Sequence, residues 1–234
     1  MRLLLGALAV LLLTTGAWAA GPDARTPSKK TKKAAPATTV AAETKPSAPP
    51  AGSSAMAELK KSEAALKKVL STRSASWSPE REARTAEVRK IIAGYLDFEE
   101  LSRRALGKHW DTVTPKQRDE FVATLRELIE RNYVRQIHGQ AEYDLLFDKE
   151  EKTGNDATVT AKLTTRPKGK KVTVDLVYKL LWKAPPGRWV AYDVITDESS
   201  MLENYRAEFN KIISKDGFDA LVKRMRKKLD QKAQ

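Results

Sequence analysis

From residue 56 onward the apolar positions fall first at helical spacing, then at strand spacing, then at helical spacing again. Over 56–75, Leu59, Leu66, Val69 and Leu70 form one narrow stripe among lysines and alanines, which predicts a helix. Pro79 opens a second helix, with Val88, Ile91, Ile92 and Tyr95 recurring on one face. Asp97 reads as the cap of a third, with Glu100 placed to complete it, Phe98, Leu101 and Ala105 on its inner face and Gly107 at its end. Thr114-Pro115-Lys116-Gln117 is the sharpest local signal. Thr114 is the N-cap, Pro115 takes the first helical position, and Gln117 can close a capping box. The helix behind it carries Phe121, Leu125, Leu128, Ile129 and Tyr133, and is expected to stop near Gly139.

The period then drops to two. Tyr143, Leu145 and Phe147 alternate, as do Val159, Ala161 and Leu163 after the turn Thr153-Gly154-Asn155-Asp156. Val172, Val174, Leu176, Tyr178 and Leu180 follow the turn Pro167-Lys168-Gly169, and Pro185-Pro186-Gly187 leads into Trp189–Ile195. Four strands joined by short turns predict an antiparallel meander with one face covered. Two helices close the chain. Ser200 and Glu203 cap the first, which bears Leu202, Tyr205, Phe209, Ile212 and Ile213; the second bears Phe218, Leu221, Val222, Met225 and Leu229. The expected class is α+β, a curved four-stranded sheet cupped by helices with a helical subdomain.

Residues before 56 change the picture. Met1-Arg2, an apolar run from Leu3 to Leu13, and Ala17-Trp18-Ala19 have the layout of a secretory signal peptide cleaved after Ala19. The run is about half the ~20 residues that span a bilayer. From 20 to 55 the chain is rich in Ala, Pro, Thr, Ser and Lys, holds six of the eleven prolines, and reads as a tether too polar to order itself. The folded domain is expected over 56–232.

Composition narrows the chemistry. With no cysteine, disulfides, zinc thiolates and a thiol nucleophile are excluded, and His109 and His138 alone offer little for a metal site. No cofactor is expected. His109 reads as a packed or capping residue, and His138 as a cap on late helix carbonyls. The formal charge of +13 points to nucleic acid in a cytosolic chain, which export argues against. Lys223, Arg224, Arg226, Lys227 and Lys228 give the last helix a basic face, either solvated or able to touch acidic partners and anionic headgroups. Asp193 stands among apolar strand neighbours, and simple alternation puts it on the face of Trp189. Without a second carboxylate or a His assigned there it reads as a structural lock, paired with Arg206 or Tyr205 of the closing helix.

Several strings occur in order: Asp97-Phe98, Ala105-Leu106-Gly107-Lys108-His109-Trp110, Gln117-Arg118-Asp119-Glu120-Phe121, Tyr133, Tyr178, Trp189-Val190-Ala191-Tyr192-Asp193-Val194, Asn204-Tyr205-Arg206-Ala207-Glu208-Phe209, and Gly217-Phe218-Asp219-Ala220-Leu221. Together they resemble the MlaC, or toluene-tolerance, family of periplasmic phospholipid carriers, over about residues 56–230. Where that family usually carries a Gly-Val-Ser-Leu-like string, this chain has Asp197-Glu198-Ser199-Ser200-Met201-Leu202. The resemblance implies a sheet like that of nuclear transport factor 2 and a pocket for acyl chains. It also implies a monomer that shuttles between an inner-membrane ABC transporter bearing an MCE-domain protein and an outer-membrane lipoprotein complex. The inward strand positions Leu145, Phe147, Val159, Leu163, Val174, Leu176, Tyr178 and Trp189, with Phe121, Leu125, Leu128 and Tyr133 on the helix opposite, are then the expected lipid-binding residues. They stand against a filled core. Three rivals stay open: an enzyme on the same cone-shaped fold, a non-transporting envelope adaptor, and a carrier of another lipid such as a hopanoid.

Overall fold

The computed structural model describes residues 48–71, 79–137, 143–166 and 169–231. The expected leader, most of the tether, His138 and the Pro167-Lys168 turn lie outside the described residues. Within them run α1 (Ala55–Ser71), α2 (Pro79–Tyr95), α3 (Phe98–Leu106), a 3-10 turn (Gly107–Thr112) and α4 (Pro115–Ile137). Then come β1 (Tyr143–Thr153), β2 (Asp156–Thr165), β3 (Val172–Lys183), β4 (Arg188–Thr196), β5 (Ser199–Ser200), α5 (Met201–Asp216) and α6 (Phe218–Asp230).

Local chemistry sets the helix starts. Asp97 Oδ1 accepts from the Glu99 and Glu100 amides, both at 3.1 Å, satisfying two donors that α3 cannot pair internally. At α4 the box closes both ways: the Gln117 amide donates to Thr114 Oγ1 at 3.3 Å, and Gln117 Oε1 accepts from the Thr114 amide at 3.0 Å. Gly217, at φ 84°, ends α5 and starts α6 in a conformation a side chain would strain.

The sheet is an open antiparallel meander in the order β1-β2-β3-β4-β5. Its fifth strand is not among the four read from alternation, because two residues are too short to show a period. A register shift interrupts β1 between Phe147 and Glu150, and a second interrupts the β3–β4 ladder. Trp189 stands opposite Trp182 and Ala191 opposite Leu180, but Asp193 stands opposite Lys179 and Val194 opposite Tyr178. One extra residue at Tyr192 reverses the parity of the strand. Asp193 therefore faces away from the side that holds Trp189 and Tyr178, which corrects the placement expected from alternation.

Asp197 (φ 44°) and Glu198 (φ 67°) form the tight β4–β5 turn, both in the left-handed region. Asp197 fits such a site, and its Oδ1 accepts from the Asp175 amide at 3.2 Å. Exposed Glu198 has no such compensation among the described contacts. Glu198→Gly is expected to stabilise the protein by about 0.5–1 kcal/mol, read as a higher urea midpoint with unchanged slope.

Two packed regions share one core. One lies on the covered sheet face, made by Val159, Ala161, Leu163, Val174, Leu176, Tyr178 and Leu180, with α1 laid across it. The other joins α3, α4, α5 and α6, where the Phe121 ring meets Phe209 edge-on at 5.4 Å and Phe218 at 6.0 Å. Polar contacts tie the start of α1 to the sheet. Glu150 accepts from Ser54 Oγ and the Ala55 amide, both at 2.7 Å, and Lys152 Nζ donates to the Ser53 carbonyl at 2.6 Å.

Candidate functional site

The inward strand residues converge as alternation requires. Val159, Leu163, Val174, Leu176, Tyr178 and Trp189 are all buried, the last packed edge-on against Trp182 at 5.7 Å. Leu145 and Phe147, on edge strand β1, are half-buried, and the Phe147 ring lies 6.3 Å from that of Tyr178. From α4, Leu125, Leu128 and Tyr133 are buried as well. Phe121 is buried too, with its ring packed against Phe209 and Phe218 in the helical region. In this conformation the face is closed to solvent, with Val159, Leu163 and Tyr178 each at 0% exposure. A ligand enters only if a covering element moves.

Inside this apolar wall sits a polar nest that alternation does not pick out. Glu63 of α1 is only 6% exposed, and the Tyr133 and Tyr178 rings are 1% and 0% exposed. Neither Glu63 carboxylate oxygen, nor the hydroxyl of Tyr133, Tyr143 or Tyr178, has a hydrogen-bond partner. Tyr143 and Glu63 are near enough to interact without closing a bond of normal length. The Glu63 carboxylate acts on Tyr95, Tyr133, Tyr143 and Tyr178 alike, so side chains from α1, α2, α4, β1 and β3 form one buried cluster. Burial raises the pKa of Glu63, against the opposing pull of Tyr143 and Lys67. Burial likewise pushes all four tyrosines upward, so they remain neutral donors. Lys67 forms the rim, half exposed, with Nζ 3.6 Å from Glu63 Oε1 and 5.4 Å from the Tyr143 ring centre. The one sequence signal for the nest is an acid inside the α1 stripe, since Glu63 falls between Leu59 and Leu66 on the same helical face.

Asp193 does join the sheet to the closing helix, through other partners than expected. Its Oδ2 accepts from Ser200 Oγ at 2.7 Å and its Oδ1 from the Leu202 amide at 2.9 Å. Arg206 instead pairs with Glu203 at 2.6 Å and donates to the Arg104 carbonyl at 3.1 Å, while Tyr205 stacks on Phe209 at 5.3 Å. His109 Nε2 lies 2.9 Å from Asn210 Oδ1 and joins the 3-10 turn to α5. On α6, Arg224 pairs with Asp216 and Arg226 with Glu120, so part of the basic face is spent within the protein. Among the described residues no group of acids and histidines could hold a metal ion, and no helix is long and apolar enough to cross a membrane.

Residues 60–227 match the MlaC protein family. The chain belongs to that family. It is 24% identical, over 144 residues, to the intermembrane phospholipid transport system binding protein MlaC of Haemophilus influenzae, across 62% of this chain and 67% of that one. Its fold resembles that of the phospholipid-binding protein from Ralstonia solanacearum, solved in complex with a phospholipid. The TM-score is 0.63 at 21% identity, over 77% of this chain and 99% of that one.

For this MlaC-family chain the buried acid gives a signed pH dependence. A carboxyl whose pKa is raised by folding favours the native state while protonated, and loses that contribution as pH rises through the raised value. Glu63→Gln is therefore expected to stabilise at neutral pH, by about 1–3 kcal/mol for an ill-satisfied buried charge. Its advantage over the parent should shrink on acidification, as read from urea midpoints across pH.

Proposed function

We propose that this protein is a periplasmic phospholipid carrier, not an enzyme. It holds acyl chains between the covered sheet face and the helices, and moves lipid between an inner-membrane ABC transporter bearing an MCE-domain protein and an outer-membrane lipoprotein complex. Residues 1–19 export it and the stretch from 20 onward tethers the domain, its last residues, from Ser53, being docked on the sheet. The observation that carries this reading is the continuous apolar sheet face under α1 in an MlaC-family chain. The Haemophilus relative's name and the phospholipid in the Ralstonia structure support it.

The energetics suit such cargo. Each buried methylene contributes about 0.8 kcal/mol, so two acyl chains supply most of the affinity without a specific polar contact. The lining then comprises Phe121, Leu125, Leu128, Tyr133, Leu145, Phe147, Val159, Leu163, Val174, Leu176, Tyr178 and Trp189. α1 is the element placed to move, because the start of its seat on the sheet rests on exchangeable hydrogen bonds to Glu150 and Lys152.

Organic extraction of gently purified protein followed by mass spectrometry, paired with transfer between labelled vesicles, tests the reading. A carrier yields intact phospholipid and moves it. An adaptor yields no lipid and an enzyme returns altered ligand; either result overturns the proposal.

A further inference from the structure

We infer that the Glu63–tyrosine nest is a binding subsite for the ester carbonyls of a diacyl lipid, with Tyr133 and Tyr178 as the donors. The inference rests on the carrier reading and goes beyond it, because the tails alone require no such site.

A buried hydroxyl without a partner is costly, and native interiors rarely leave one. Here three tyrosine hydroxyls and a carboxylate, drawn from four elements, close no hydrogen bond of normal length within one buried cluster, with the Lys67 ammonium 3.6 Å from Glu63. A set of this kind is satisfied by water or by a ligand's polar atoms. The donors select among those atoms. A tyrosine hydroxyl gives one hydrogen bond, and the Tyr143 hydroxyl already has the Glu63 carboxylate beside it as acceptor. Tyr133, with the Tyr95 hydroxyl near it, and Tyr178 remain, two neutral donors within an apolar wall, and a diacyl lipid presents two neutral acceptors where its tails begin. A phosphate does not suit the same depth, since Glu63 would oppose a second anion and burying the charge costs too much. Lys67, half exposed at the rim, is the group placed to meet it.

The test loads full-length protein from vesicles holding equal amounts of a diacyl phosphatidylethanolamine and its dialkyl ether counterpart of matched chain length. The ether has the same tails and headgroup but no carbonyl. Bound lipid is extracted and the ratio read by mass spectrometry. The parent protein should favour the ester about tenfold, the equivalent of about 1.4 kcal/mol. Tyr133→Phe with Tyr178→Phe should lower ester uptake by that factor, to the level of the ether. Tyr205→Phe, a half-buried tyrosine on α5 stacked on Phe209 outside the nest, should keep the preference. Because neither exchanged hydroxyl closes a hydrogen bond of normal length in the protein, Tyr133 only approaching Tyr95, the double variant should melt close to the parent. Equal uptake of ester and ether by the parent protein overturns the inference, leaves lipid carriage standing and assigns the nest to water. Uptake of neither lipid overturns the carrier reading itself.

Discussion

Asp193→Ala is expected to lower the unfolding free energy by about 3 kcal/mol and the melting temperature by about 10 °C. The side chain is only 4% exposed and both oxygens are used. Oδ1 takes the Leu202 amide at 2.9 Å, one of the first-turn donors that α5 cannot satisfy within itself, and Oδ2 takes Ser200 Oγ, which in turn caps the Glu203 amide at 3.0 Å. An anion here also meets the positive end of the helix dipole. Truncation leaves a buried amide with no acceptor and frees the cap that orients α5. The loss spreads, because α5 carries Phe209 into the contact with Phe121 that ties the helical region together. Asp193→Asn retains one acceptor oxygen and should cost about half as much. Arg206→Ala removes a largely exposed pair with Glu203 and one hydrogen bond to the Arg104 carbonyl, and should cost about 1–2 kcal/mol. Calorimetry of the three variants checks the order. An Asp193→Ala protein melting within about 2 °C of the parent would show that the strand does not hold the helix through this carboxylate.

The fate of Asp193 shows what one sequence can and cannot express. Side-chain chemistry that acts within a few residues is legible: Asp97 and Thr114 cap where their spacing to Glu99, Glu100 and Gln117 says they must. Alternation is equally legible while register is kept, as from Ala157 to Leu163. The bulge at Tyr192 leaves no mark in composition, yet it reverses every later side chain of β4, so Asp193 faces the opposite way from its expected position. Phe121 shows a different limit. Its spacing places it on a buried helical face, but α4 is covered by both helices and the interior near the sheet, and periodicity cannot say which neighbour lies against which residue. The nest is the hardest case. Glu63, Tyr95, Tyr133, Tyr143 and Tyr178 come from five elements, and only the acid within the α1 stripe breaks a local rule.

Phe147→Asp combined with Leu145→Asp is expected to reduce bound and transferred phospholipid by about a hundredfold while the protein still folds. These two positions suit the experiment because they are half-buried on edge strand β1, unlike Leu163 or Tyr178 at 0% exposure. An aspartate there can turn its carboxylate to water when the site is empty, so the native state tolerates it better than at the sheet centre. A bound chain removes that escape. It covers the edge, forces the two charges to be desolvated, and loses the apolar surface of a phenylalanine and a leucine, each worth about 1.5–3 kcal/mol when fully buried. A hundredfold loss corresponds to about 2.8 kcal/mol, well within that sum for sites only partly covered. Circular dichroism and melting curves establish that the variant is folded, and extracted lipid and vesicle transfer give the effect. Leu146→Asp is the matched control. Leu146 lies between the two on the same strand but points outward at 69% exposure, so it adds one of the two charges on the opposite face and should leave carriage intact. Loss in the double variant with retention in the control ties the cargo to the covered face. Equal loss in both would mean that added negative charge, wherever it lies on β1, weakens the encounter with the membrane, and would remove the sheet face from the lipid path.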